Sequence, residues 1–343
     1  MSSDTNDNTL QTAHNSGEMI LNRKECTSCE QNNIDNITEV IDGVVLDDMS
    51  NMSKCANCGK EGNSNDMNAC NKCQSVKYCN AECKKKHRKK HKLDCGLLCE
   101  RRAAELYDEQ LFKDPPPRDE CPICMLTLLY GNNTETFKPC CGKTVCSGCI
   151  YAILEREGGV DKCPFCRAPE EGRKGLVQKV KKQMDRGNAG AFDMLGSYYA
   201  QGKMGLPQNG KACELWLKAG ELGCAEAYYN LGVVYDNGMG VKMDRNKAKH
   251  YWELAAVTGN VKARFNIGCM ELKAGNVQRS YKHFVIAARS GDERALGQVK
   301  KGFMECLVTK DEYANTLRAY HERQKEMKSE MRDKAAASGI FSR

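Results

Sequence analysis

Residues 231–256 read LGVVYDNGMGVKMDRNKAKHYWELAA, and the stretch has counterparts on both sides. Leu231-Gly232 corresponds to Leu195-Gly196 and to Ile267-Gly268; Trp252 corresponds to Trp216 and Phe284; Ala255 corresponds to Ala219 and Ala287. Gly187, Gly223, Gly259 and Gly291 keep the same register, as do Ala191, Ala227, Ala263 and Ala295, at intervals of 36, 36 and 32 residues. A period of this length holds two short helices. The small residues let their backbones approach, the large aromatic fills the gap between them, and the glycine closes the second helix. Three such units are predicted to stack as a solenoid with a concave face, the third lacking four residues of the middle loop.

The patterns LGxxY, GMGV and KAxxYWxxAA resemble the SEL-one-like branch of the tetratricopeptide superfamily, over residues 187–291. The resemblance implies a protein-binding scaffold without catalytic groups, and we place the repeat domain at 174–308. Tyr199, Trp216, Tyr235 and Trp252 recur at one period and read as core. Residues 309–343 form a charged closing helix and tail; within Asp311 to Lys334, Tyr313, Leu317 and Tyr320 are expected to pack on the last repeat and the remainder to be exposed.

Upstream, cysteine dominates. The chain of 343 residues carries 22 of them, most between Cys55 and Cys166 and many in CxxC pairs. No basic segment followed by an apolar one opens the chain, and no apolar run of about 18 residues occurs, so a soluble protein of the cytoplasm or nucleus, without membrane contact, is expected. Paired thiols in a reducing compartment read as zinc ligands. Residues 1–50 carry ten acids against Arg23 and Lys24, a net −8; the whole chain is +7, so the rest holds +15. That opening is rich in Asn, Ser, Thr and Asp, and we read residues 1–52 as a disordered acidic arm. Within it Cys26-x2-Cys29 lacks a matching pair, and VVLDD at 44–48 looks like a short strand that adds to the sheet edge of a ubiquitin-like modifier.

From Cys55 the spacing is Cys55-x2-Cys58, Cys70-x2-Cys73, then Tyr78-Cys79-x3-Cys83-x3-His87-x3-His91-x3-Cys95. CxxC turns and helical i, i+4 pairs each set two donors on one ion, so eight side chains close two tetrahedral sites with one histidine left over. Residues 53–96 resemble the MYND zinc finger, down to the aromatic-Cys pair Tyr78-Cys79. The resemblance assigns Cys55, Cys58, Cys79 and Cys83 to one zinc and Cys70, Cys73, His91 and Cys95 to the other, leaves His87 unligated, and implies binding of a proline-containing peptide. Arg88 stands where that family commonly has Trp. The helix CKKKHRKKHKLDC (83–95) should aim its His and Cys at metal and leave Lys84, Lys85, Lys86, Arg88, Lys89, Lys90 and Lys92 in solvent. That basic face is an import signal or a solvated surface; nucleic acid is not expected, because no aromatic interleaves with the lysines.

A helical linker with a Pro-rich end (97–118, closing on DPPPRD) precedes a second set: Cys121-Pro-Ile-Cys124, Cys140-Cys141-Gly-Lys-Thr-Val-Cys146-x2-Cys149 and Cys163-Pro-Phe-Cys166. Eight thiols again suffice for two tetrahedral sites. Residues 119–170 resemble an all-cysteine RING finger, Lys143 standing where many members have His. The cross-brace of that family puts Cys121, Cys124, Cys146 and Cys149 on one zinc and Cys140, Cys141, Cys163 and Cys166 on the other, four zinc ions per chain in all. It further implies a ubiquitin-protein ligase that acts by positioning, without a covalent intermediate. Ile123, Pro164 and Phe165 would then meet a ubiquitin-conjugating enzyme, and Arg167 would bridge that enzyme and ubiquitin.

The fold expected is therefore multidomain and mostly α: a disordered N-terminal arm, two small zinc-stabilised modules, and an α/α solenoid of helical-hairpin repeats. The function expected is a ubiquitin ligase whose repeats and MYND-like finger hold a protein substrate; its alternative is a non-enzymatic zinc-binding scaffold for protein interactions. Oligomeric state is left open.

Overall fold

The computed structural model describes residues 52–128, 134–158, 162–169, 172–203 and 208–340. The acidic arm with Cys26, Cys29 and VVLDD lies outside them. The chain divides between His91 and Lys92 into two compact units, and the protein is mostly helical.

The first unit is built on two short antiparallel hairpins, β1 (Met52–Lys54) with β2 (Glu61–Asn63) and β3 (Asn68–Ala69) with β4 (Lys77–Tyr78). Helix α1 (Ala81–Leu111) follows. The finger's helix and the expected linker helix are thus one element of 31 residues. Its surface is mostly charged, with Leu93, Leu97, Leu106 and Tyr107 exposed among the polar residues, and it is laced by exposed pairs such as Lys86–Glu82 (2.9 Å) and Arg101–Glu105 (3.8 Å). Such pairs add only a few tenths of a kcal/mol each; the ends hold the helix. At the C-terminal end Leu111 is buried and the Arg264 guanidinium donates to its carbonyl at 2.7 Å. That bond satisfies one of the last carbonyls of the helix with a cation at the negative pole of its dipole. Asp108 pairs with Arg279, and Phe112 lies between Arg279 and the imidazole of His283.

In the second unit, β5 (Glu135–Lys138) pairs antiparallel with β6 (Lys143–Cys146), and α2 (Ser147–Glu157) leaves directly from the end of β6. After α3 (Arg173–Asp185) come helical hairpins: α4 (Ala189–Ala200) with α5 (Asn209–Glu221), α6 (Ala225–Asn237) with α7 (Arg245–Val257), and α8 (Val261–Lys273) with α9 (Val277–Arg289). A fourth, α10 (Glu293–Met304) with α11 (Lys310–Met327), extends the series beyond the three units legible in the repeat. The repeat glycines do what their spacing implies: Gly187, Gly223, Gly259 and Gly291 sit at φ between +72° and +99°. One residue on, Cys224, Asn260 and Asp292 donate their N–H to the carbonyls of the fully buried Ala219, Ala255 and Ala287. The same turn then caps the next helix. The side chains of Asn188, Asn260 and Asp292 accept from Gly190, Ala263 and Ala295 N–H, while Cys224 provides no side-chain cap.

Each Leu/Ile-Gly pair explains the aromatic one helix later. A Cβ on Gly196 would stand 2.9 Å from Trp216 Cδ1, one on Gly232 2.3 Å from Trp252 Cδ1, and one on Gly268 2.6 Å from Phe284 Cε1. The ring rests on helix backbone where a side chain would otherwise be. Trp216 and Trp252 are 4% exposed and Phe284 fully buried; Tyr199 and Tyr235 pack partly buried beside them, as the periodic reading predicted.

The closing segment departs from expectation, and the cysteine-rich module proves to be tied to the repeats. The closing helix is broken at Lys328–Ser329, giving α11 and then α12 (Glu330–Ala337). Tyr313 does pack on the last repeat, stacked on Phe303 with centroids 4.9 Å apart. The rest is not uniformly exposed, however: Arg332 and Ala335 of α12 are buried, because this helix packs on α2. The cysteine-rich module also does not float free of the repeats. Phe137 packs with Val180, Ala191 and Leu195, and Asn188 donates to the Gly142 carbonyl at 3.1 Å.

Gly232→Ala should lower stability by about 1–3 kcal/mol through overpacking, whereas Gly297→Ala, on an exposed stretch of α10 with open space around it, should raise it by about 0.4–1 kcal/mol. Thermal unfolding of the two variants is the check, and shifts of the same sign would refute the packing role of Gly232. His283 supplies a pH test. Its imidazole is fully buried with neither ring nitrogen hydrogen-bonded, and burial together with the nearby Arg264 pushes it down to about 3. The unfolded chain therefore takes up a proton below pH about 6.5 that the folded chain refuses. Stability should fall by about 1.4 kcal/mol per pH unit from there toward pH 3 on this account, and the slope should be reduced by that amount in His283→Leu. Chemical unfolding at several pH values would reveal an unchanged slope if His283 is not the cause.

Candidate metal centres

Four groups of side chains converge so that in each the four donor atoms lie within 4.8 Å of one another: Cys55, Cys58, Cys79 and Cys83; Cys70, Cys73, His91 and Cys95; Cys121, Cys124, Cys146 and Cys149; Cys140, Cys141, Cys163 and Cys166. These are the sixteen residues and the four groupings that the resemblances to MYND and RING fingers imply. A tetrahedron with zinc–sulfur bonds of about 2.3 Å has sulfur–sulfur edges of about 3.8 Å. Cys58–Cys79 and Cys79–Cys83 are each separated by 3.6 Å, Cys121–Cys149 by 3.8 Å, Cys124–Cys146 by 3.7 Å, Cys141–Cys163 by 3.9 Å and Cys140–Cys166 by 3.5 Å. Cys73 Sγ stands 3.5 Å from His91 Nε2. These separations are far beyond a disulfide bond of about 2.05 Å and match the edges of a zinc tetrahedron.

The backbone prepares each CxxC pair in one way. Cys55, Cys70, Cys121 and Cys163 accept at their carbonyl from the N–H four residues on, at 2.8–3.0 Å, and that fourth residue is left-handed: Gly59 at φ +75°, Gln74 at +54°, Met125 at +58°, Arg167 at +61°. Three of the four are not glycine, so the fold holds a conformation that L residues visit reluctantly. The turn returns both thiols to one side. Sequence reading missed this constraint, and Gly59 was its one visible sign. Other donors complete the groups from regular elements. Cys83, His91 and Cys95 follow one another on α1 at helical steps, and Cys149 lies one turn into α2 after Cys146. The adjacent Cys140 and Cys141 share a group because the turn closes tightly, with Gly142 at φ +71° donating to the Lys138 carbonyl.

Charge decides what such a group can hold. The Cys146 thiol is brought down to about 4 by a hydrogen bond from Cys149, and the same bond pushes Cys149 far up. Likewise Cys55 falls to about 6 on the backbone N–H of Cys79, while Cys79 is pushed up to about 12 by its bond to Cys83. One thiolate is accommodated by its neighbours' protons, and a second would face the first. A divalent cation removes that conflict, so the donor sets fit zinc.

His87 stays outside the second group, with Nδ1 3.3 Å from the Tyr78 hydroxyl. The basic face of α1 needs one correction: Lys84 does not point into solvent but donates to the Ala69 carbonyl (2.6 Å) and Asn71 Oδ1 (2.7 Å), tying the helix to the Cys70–Cys73 turn. Lys85, Lys86, Arg88, Lys89, Lys90 and Lys92 are exposed. In the second module Ile123 and Phe165 are 41% and 42% exposed, and the unanticipated Met125 is 65% exposed. Pro164, expected beside Phe165 as contact surface, is instead buried. Arg167 is exposed and pairs with Glu157 at the end of α2 (3.1 Å). Among the described residues no helix is long and apolar enough to cross a membrane.

Comparison with known proteins agrees with these observations. Residues 55–95 match the MYND finger, and residues 193–224 and 225–256 each match the Sel1 repeat. No curated protein matches the chain. Among solved structures it is similar to a Sel1 repeat protein from Oxalobacter formigenes (17% identity, TM-score 0.40, 51% of this chain and 71% of that one). It is also similar to a protective antigen with an SLR fold from uropathogenic Escherichia coli (28% identity, TM-score 0.38, 44% and 33%).

Chelation at neutral pH should open residues 55–95 and 121–166 to protease while the repeats at 189–304 stay resistant, because modules this small have little core apart from their metal. Cleavage sites mapped by mass spectrometry test this. An unchanged pattern would remove zinc as the organising ion.

Proposed function

We propose that this chain is a zinc-organised scaffold for protein–protein interaction, holding four zinc ions. Cys55, Cys58, Cys79 and Cys83 hold the first, Cys70, Cys73, His91 and Cys95 the second, and the two cysteine quartets of residues 121–166 the third and fourth. The observation that carries the reading is the joint match of a MYND finger and Sel1 repeats on residues that fold as a finger and as stacked hairpins. Both are modules whose use is to present surface. The partners are proteins or proline-containing peptides, in the cytoplasm or nucleus. Arg88, where the finger family commonly has Trp, argues for a partner more acidic than the family's usual peptide.

A second reading, a RING-type ubiquitin ligase, is favoured by one arrangement. The quartets are interleaved, first pair with third and second pair with fourth, and Ile123, Phe165 and Arg167 are exposed around the two CPxC turns. On that reading Ile123 and Phe165 receive the ubiquitin-conjugating enzyme and Arg167 exchanges Glu157 for ubiquitin. One assay separates the two: ubiquitin-chain formation by zinc-loaded protein with a panel of conjugating enzymes, comparing wild type with Arg167→Ala. The scaffold predicts no chains from either. Chains formed by wild type and reduced at least tenfold in the variant would establish the ligase.

A further inference from the structure

Among the described residues, Arg332 is, with Arg264, one of two buried arginines of the second unit that donate to backbone carbonyls. It lies on α12, near the end of the chain, yet is 7% exposed. Its guanidinium donates to the carbonyls of Thr127 (Nη1, 2.9 Å), Met327 (Nη1, 3.1 Å) and Leu126 (Nη2, 3.3 Å), and Nε is buried without a hydrogen-bond partner. Among the described residues no carboxylate pairs with it. A guanidinium removed from water with only neutral carbonyls around it carries a desolvation cost of several kcal/mol unless opposite charge is near.

The missing charge lies in the turn it touches. Leu126 and Thr127 directly follow the Cys121–Cys124 turn, and the same Leu126 carbonyl accepts the Cys121 N–H. Gly148, against which Arg332 packs, is the residue before Cys149, so the stem of the arginine lies beside the Cys146–Cys149 pair of the quartet as well. Four thiolates around one zinc ion make a doubly negative centre, so a buried cation beside it stabilises the centre and is stabilised in return. The packing around Arg332 supports this placement. A Cβ on Gly148 of α2 would lie 2.8 Å from Arg332 Cγ and from its backbone nitrogen, so the two helices meet backbone to backbone there. Ala335, one turn on, is fully buried, and Lys334 reaches Glu155 of α2 at 3.7 Å.

We propose that Arg332 is an outer-shell positioning residue of the zinc centre formed by Cys121, Cys124, Cys146 and Cys149, so that docking of the C-terminal helix and retention of that one metal are coupled. The inference rests on the zinc reading of this quartet. It makes the C-terminus part of a metal centre lying more than 180 residues upstream in sequence, and anything that lifts α12 away would selectively loosen that ion.

The test uses full-length protein challenged with a chelator while cysteine alkylation is followed site by site by mass spectrometry. In Arg332→Met, which keeps bulk and removes charge, alkylation of Cys121, Cys124, Cys146 and Cys149 should quicken about tenfold to a hundredfold, with the other twelve ligands unchanged. Arg332→Lys should restore most of the protection. Ala335→Glu, which leaves Arg332 intact but cannot bury its own side chain against α2, should behave like Arg332→Met. Wild-type protection in Arg332→Met, or equal loss in the Met and Lys variants, would overturn the charge coupling. A wild-type quartet that alkylates freely while the other three groups are protected would instead overturn the zinc reading of that site.

Discussion

Four thiolates, or three and an imidazole, must share a space under 5 Å across, and most of the geometry outside the repeats follows from that requirement. Negative charges at such distances repel strongly in any medium short of bulk water. A thiolate such as Cys146 is held by its neighbour's proton, and a cation at the centre lets the remaining sulfurs ionise beside it. The backbone meets the same demand by strain: Gln74, Met125 and Arg167 hold left-handed conformations to return the two thiols of a CxxC pair to one side. A side chain at such a position is placed by the turn before any partner is considered. Arg167 is therefore presented at the surface by the geometry of a metal turn, whatever it meets there.

The hairpins solve stability by another route. Their unit is a ring set on a glycine, repeated at Gly196, Gly232 and Gly268, and closed by a left-handed glycine whose following N–H caps the buried alanine carbonyl. Nothing in this arrangement needs metal, and each hairpin buries its apolar face chiefly against its neighbours. Small cysteine-rich modules whose donor sets fit a metal ion and a self-supporting helical stack thus lie in one chain. Within residues 92–340 they are nonetheless joined through polar groups: Arg264 on the carbonyl of Leu111, Asn188 on the carbonyl of Gly142, Arg332 on the carbonyls of Leu126 and Thr127.

Sequence periodicity displayed the stack because its constraints are local. Glycine before the cap, the Leu/Ile-Gly pair and the aromatic recur within one period and can be read off by eye. The donor pairs were legible for a related reason, since spacing of two or three residues between donors is itself the geometry; which pairs share a site came from the resemblance to MYND and RING fingers. What stayed hidden joins residues far apart in the chain. Lys84 reads as one more solvated lysine until the Ala69 carbonyl is placed beside it, and α12 reads as a charged tail until its two buried residues meet α2. The fourth hairpin escaped for want of the aromatic that marks the others. The αL positions escaped because three of the four residues there carry side chains.

The docked end of α1 limits where the repeats can receive another protein. Leu111, Phe112 and Pro116 lie against Arg264, His283 and Gly259, on the second and third hairpins, and Arg118 donates to the Ser290 carbonyl at 3.0 Å. That part of the stack already holds an extended, proline-bearing segment of its own chain. A partner seeking the same groups would have to displace a buried leucine, an ion pair between Asp108 and Arg279, and a capped helix end together, a cost well above that of an exposed contact. Among the described residues, the first two hairpins carry no such occupant along the side where Lys211 lies over Tyr199 and Lys247 over Tyr235, 5.5 and 5.3 Å from the ring centres. These lysine–tyrosine pairs recur at one period, each tyrosine packed partly into the core and each lysine exposed above it. The lysine stems thus cover the ring faces while their charge stays in water, so positive charge recurs on the first two hairpins at the repeat period.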